Sequence, residues 1–207
     1  MSGGDTTLLH NHVRDIVHDY CKRGCLRPEA EAPELLRGIS APDGRRRPAD
    51  VLICSAAILA RRLPDGARVV GRKVALDFAV IKALGRGHWN GTFQRPGSAE
   101  EAYAVRRCRH QDTETKFRQA GLEFQPMVMS SQGGMTPAMG AVLHGIADAV
   151  ATIEGADPDV IRQDMFQGLA IAVARANARA ATRRRVCKPG IRHTALATAL
   201  LDEAAGL

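Results

Sequence analysis

"KVALDFAVI", residues 73–81, carries the alternation on which the fold reading turns. Side chains of a strand point to opposite faces in turn. Val74, Leu76, Phe78 and Val80 therefore share one face, and Ala75, Asp77 and Ala79 share the other. The first set predicts a buried apolar face. On the second, a carboxylate stands between two methyl groups, which leaves room for something to approach it.

Working toward the N-terminus, "GRRRPADVLIC", residues 44–54, passes from a cationic run into an apolar one. A second strand is predicted from Asp50 to Ser55. If these two strands pair antiparallel, the start of one lies beside the end of the other, and Asp50 meets Asp77. Two or three carboxylates on one sheet make a hard, oxygen-rich site suited to Mg²⁺. Arginine-rich surroundings beside such a cation suit phosphodiester cleavage. The plainer reading is that strand-end aspartates are ordinary turn or cap residues. Upstream again, Leu9, Val13, Ile16, Val17 and Tyr20 recur at helical spacing and predict a helix over 6–23, with Gly24 as its stop. A short strand follows near 27–32, ended by Pro33, and then a loop over 37–48. Residues 56–68 fit either a short helix or a turn-rich segment.

Toward the C-terminus, a glycine-rich loop is expected over 84–98. One helix is expected from Ala99 to Ala120, with Gly121 at its end. Its centre, "RRCRHQDTETK", is too polar to be buried on many sides. A fourth strand runs from Leu122 to Met129, closed by Gly133 and Gly134. Thr136 and Pro137 open a helix to Ile153, Asp157 and Pro158 open another to Arg185, and a last one starts at Thr194. The expected fold class is α/β, a mixed four-stranded sheet in α-β-β-β-α-β order followed by a helical C-terminal extension. The expected division is a core over 6–134 and an extension over 135–207.

The 207 residues suit one domain, or one with an appendage. No apolar run approaches the length of a membrane span, and the first residues lack the features of a signal peptide. An intracellular location is expected, the nucleus being one option, with no membrane partner. Five cysteines, an odd number, argue against a disulfide framework. Cys21, Cys25, Cys108 and His110 have poor spacing for zinc, so idle or buried thiols are expected. His10, His12 and His18 share a broad helix face without a metalloprotease motif and read as surface or partly buried residues.

Formal net charge is +7, gathered in Arg45, Arg46 and Arg47, in Arg106, Arg107 and Arg109, and in Arg183, Arg184 and Arg185. Clustered positive charge favours a polyanion partner, DNA in particular; the ordinary alternative is a solvated surface. Aromatic residues make up only 4% of the chain, so platforms for stacking single-stranded bases are poorly supplied.

Helix, three strands, helix, strand is the core order of the PD-(D/E)XK nuclease superfamily. "LLHNHVRDIV", "EAEAPELL", "RRRPADVLIC", "VALDFAV", "ETKFRQAGLEFQPMVMSSQGG" and "LAIAVARANARA", in that order, resemble the restriction-endonuclease-like domain that follows the reverse transcriptase of some non-LTR retrotransposons. The resemblance spans residues 8–186, and no reverse-transcriptase segment accompanies it, as in a detached or decayed polyprotein tail. Pro48 to Asp50 resembles the "PD" element, with Ala49 between its two letters. Asp77 resembles the second acidic residue, and Lys116 the lysine that these elements carry on the following helix. Glu31 matches an earlier acidic position more loosely. The resemblance implies Mg²⁺ on Asp50 and Asp77 with Glu31 as auxiliary ligand. It also implies that Lys116 orients the attacking water or stabilises charge on the phosphorane. The DNA-binding arginines are expected to be Arg45, Arg46, Arg47, Arg106, Arg107 and Arg109. Two departures stand out: Ala79 occupies the usual D-x-K lysine position, and the gap from Asp50 to Asp77 is long. The alternatives are an inactive nucleic-acid-binding remnant and a protein-interaction module. Neither a target sequence nor an oligomeric state is readable from the chain.

Overall fold

A computed structural model of the chain describes residues 3–31, 35–36, 49–55, 73–82 and 95–186. Arg45, Arg46, Arg47, Pro48, the 56–68 segment, the loop residues before Arg95 and the helix expected at Thr194 lie outside the described residues. Helix α1 spans Gly3–Arg23, and strands β1, β2 and β3 span Pro28–Ala30, Val51–Ile53 and Lys73–Ile81. Helices α2 (Ser98–Arg109) and α3 (Thr113–Gln119) precede β4, Leu122–Ser130. Helices α4 (Pro137–Glu154) and α5 (Pro158–Val186) follow. The protein is thus α/β, with a mixed four-stranded sheet and a C-terminal helical part.

The sheet order is β1-β2-β3-β4. β1 pairs antiparallel with β2 and β2 antiparallel with β3, whereas β4 runs parallel to β3. A parallel neighbour needs a crossover, and α2 and α3 lie on it. Pro126 cannot donate to a ladder, which is tolerable because β4 is an edge strand.

The alternation expected in β3 is present. Val74, Leu76 and Phe78 join Val51, Ile53, Met127 and Met129 in a core shared with α1, α4 and α5. Residues on both sides of position 134 therefore contribute to one core. On the opposite face, Ala75 packs with Leu52, Phe124 and Phe117, and Ile81 packs with Val128 and Ala99. Gly24 lets α1 end against α4, because a Cβ there would lie 3.1 Å from that of Ala149. Thr136 caps α4 as expected, its hydroxyl accepting the Met139 N–H at 3.1 Å.

The single helix expected over 99–120 is a correction. It breaks at His110–Asp112, where Gln111 and Asp112 adopt left-handed φ of 53° and 55°. The physical reason is burial. Between Ala104 and Phe117 the only large apolar side chain, Val105, is exposed and Cys108 is only partly buried, so little apolar burial holds that stretch to the sheet as one continuous helix. Each of the two helices instead serves its own small cluster: α2 brings Ala99, Tyr103 and Ala104, and α3 brings Phe117. Gly121, at φ 72°, then turns α3 into β4.

Candidate functional site

The head of β2 is fastened to β3 by Asp50. Its N–H donates to the Leu76 carbonyl at 2.9 Å, and its Oδ2 accepts the Phe78 N–H at 2.7 Å. Asp50 thus grips the two residues that flank Asp77. On its other side, its carbonyl accepts the Glu31 N–H at 2.8 Å. The register Val51↔Leu76, carried one residue back, sets Asp50 opposite Asp77 on adjacent antiparallel strands.

Each carboxylate has its own partner. Asp77 shares the β3 face of Ala75 and Ala79, and its side chain is only 7% exposed. Arg107, from the last turn of α2, approaches over those methyl groups. Its Nε donates to Oδ2 at 2.6 Å and its Nη2 to Oδ1 at 2.9 Å, a two-pronged charge-assisted pair. The hydrogen bond to Asp77 holds the guanidinium pKa above its ordinary value despite burial, and the charges of Asp77 and Asp50 add to this.

Asp50 turns toward α1, where His10 Nε2 lies 3.2 Å from Oδ2. That hydrogen bond, opposed by burial and aided by the Asp50 charge, raises the His10 pKa. Arg14, one turn further along α1, donates from Nη1 to Glu31 Oε1 at 3.0 Å. Three carboxylates and three cationic or ionisable groups therefore meet around the β2–β3 junction. Among the described residues, no group of three or more His, Cys, Asp or Glu side chains is gathered closely enough to hold a metal ion. Glu31 is drawn to Arg14 rather than into a cluster with Asp50 and Asp77.

Lys116 is half-buried on α3, beside the fully buried Phe117. No hydrogen bond or ion pair among the described residues engages its ammonium, and the cation on Asp77 is Arg107. The other basic residues of α2 face outward. Arg106 lies over the Tyr103 ring, 5.0 Å from its centre. Arg106, Arg109 and His110, with Ala102 and Val105, line an open concavity of about 550 Å³. Arg183 is exposed near the end of α5.

The sequence places Arg107 with the DNA-binding arginines and His10 among the surface or partly buried histidines. His10 is indeed partly buried, but neither carboxylate contact is foreseen. The only signal for Arg107 was the space left by Ala75 and Ala79 beside Asp77. His10 had none, because its contact depends on how α1 lies across the head of β2. Among the described residues, Cys21, Cys25, Cys54 and Cys108 form no disulfide, and burial pushes the Cys21 thiol up to about 12.

No family model, curated protein or solved structure matches the chain significantly. Among the described residues, no helix is long and apolar enough to cross a membrane.

Proposed function

We propose that this chain is a DNA-binding domain of the restriction-endonuclease-like kind, derived from a retroelement, which hydrolyses phosphodiester bonds with Mg²⁺ at Asp50 and Asp77. One observation carries the reading: Asp50 is anchored to the backbone on either side of Asp77, so two carboxylates far apart in sequence become strand neighbours. The α-β-β-β-α-β order and the basic face of α2 support it. A DNA substrate also makes the nucleus a natural place of work.

The donor set fits the ion. Mg²⁺ is commonly held by one or two carboxylates, with waters and substrate phosphate completing its shell. Asp77, nearly shut off from water, already balances one positive charge, which is the electrostatic demand a divalent cation meets. When bound, Mg²⁺ supplies charge neutralisation on the phosphate and lowers the pKa of water. The protein's own groups have separate duties. His10 and the Phe78 N–H orient Asp50. Lys116 and Arg107 are the cations available to stabilise charge that builds on the phosphate. Arg106 and Arg109 bind flanking backbone phosphates.

The test is nicking of supercoiled plasmid with Mg²⁺ or Mn²⁺. Wild type is expected to nick, and Asp77→Ala, Asp50→Ala and Lys116→Ala are each expected to slow nicking by about 100-fold or more. Equal rates in wild type and variants would remove these residues from the site. A second reading, an inactive DNA-binding remnant, is favoured by Ala79 and by the engagement of both Asp77 oxygens with Arg107. It wins if pure wild type binds DNA and never cleaves with either metal.

A further inference from the structure

The three basic residues at the end of α2 do different things. Arg106 rests on Tyr103 and Arg109 lines the open concavity, but Arg107 turns onto Asp77 with both prongs of its guanidinium. A guanidinium in a two-pronged pair and a divalent cation compete for those two oxygens, because like charges sharing one small carboxylate repel each other. We infer that Arg107 is an exchangeable cation of the site: it occupies the metal-holding oxygens of Asp77 in the DNA-free protein and transfers to a DNA phosphate when metal and substrate enter. The inference rests on reading Asp50 and Asp77 as the metal-holding pair.

The burial of the two partners sets the direction of exchange. The Asp77 side chain is 7% exposed and that of Arg107 42%. A carboxylate so enclosed needs a counter-charge at all times, so Arg107 leaves only as another cation arrives. Arg107 itself is half in water and can turn outward without losing hydration. Its planar fork matches phosphate as well as carboxylate. Ala79 adds to the case. A methyl group stands where a D-x-K lysine would reach the phosphate, and the fold supplies an arginine from the facing helix instead.

Competition for one carboxylate makes the inference measurable without any cleavage. The full chain, free of DNA, is titrated with Mn²⁺, and the unbound ion is followed by its electron paramagnetic resonance signal. Arg107→Gln is expected to bind Mn²⁺ about tenfold more tightly than wild type. Arg107→Lys, which cannot make two parallel bonds, is expected to fall between them. Asp77→Asn is expected to lose the site. In EDTA, Asp77→Asn releases Arg107 and is expected to bind duplex DNA severalfold more tightly than wild type, with a salt slope steeper by about one phosphate contact. That gain disappears in the double variant Asp77→Asn with Arg107→Gln. If Arg107→Gln does not fold, Arg107→Lys decides on the same criterion. Mn²⁺ binding that needs Asp77 but ignores Arg107 overturns the exchange and leaves the metal pair standing. No Mn²⁺ binding in any of these proteins, or binding indifferent to Asp77, overturns both.

Discussion

Asp77 stands on a strand face of small residues, and its partner comes from another element. Their unequal burial predicts unequal costs. Arg107→Ala leaves an enclosed carboxylate without its cation and is expected to cost about 2–4 kcal/mol. Asp77→Ala leaves a guanidinium that water can reach, and is expected to cost less than half as much. Urea denaturation of both variants in EDTA checks this, and a larger loss for Asp77→Ala would contradict the burial argument. At the α2–α3 break, Gln111 holds a left-handed conformation that costs an L-residue about 1–2 kcal/mol. Gln111→Gly removes that strain at some cost in chain entropy, so thermal denaturation should show a gain of about 0.5–1 kcal/mol. The residue-level site was half legible in the chain. Parity put Asp77 on the small-residue face, and an antiparallel pairing put Asp50 beside it. Parity is silent about which helix residue arrives from above, so Arg107 and His10 emerged only with the fold.

Among the elements, β3 shows how far local pattern reaches. Its bounds and its inward face follow from alternation in nine residues, and its antiparallel pairing with β2, only a condition in the sequence, is present in the fold. The crossover shows where pattern stops. A polar stretch with good helix formers reads as one helix, yet local propensity decides little when only the partly buried Cys108 adds apolar contact in the middle. Phe117 fastens α3, its ring centre 4.9 Å from that of Phe124. Phe117→Ala is expected to cost about 3–5 kcal/mol and to loosen the helix that carries Lys116. A loss near zero, measured by urea denaturation, would mean α3 is held some other way. On the opposite side, the Tyr20 hydroxyl of α1 donates to Asp164 of α5 at 2.6 Å. Burial first, then that carboxylate, pushes the phenol up to about 12 from its ordinary 10. The raised value favours the neutral form in the fold. Its stabilisation is therefore complete below pH 10 and is lost as pH rises toward 12. Wild type and Tyr20→Phe should thus differ most in melting temperature near neutrality and converge in that alkaline window. A difference that grows with pH would reverse the assignment.

For the molecule as a whole, one core joins α1, the sheet, α4 and α5 on one side, while α2 and α3 cover the other. The charged junction sits at the head of β2, between the two layers. A chain of net charge +7 with Arg106 and Arg109 facing outward should bind duplex DNA with affinity that falls steeply with salt. Arg106→Ala and Arg109→Ala should each flatten the plot of log affinity against log salt by about one unit. Fluorescence anisotropy across a salt series checks this, and an already flat wild-type plot would remove DNA as partner. The central claim is that Asp50 and Asp77 act as one metal-dependent centre. Its most direct test is the rate of Mn²⁺-dependent plasmid nicking by wild type, Asp50→Asn, Asp77→Asn and the double variant. If the two carboxylates serve one ion, either single variant removes most of the activity and the double is no slower than the worse single. Single variants at the wild-type rate, or a double variant whose losses multiply, would contradict a shared centre.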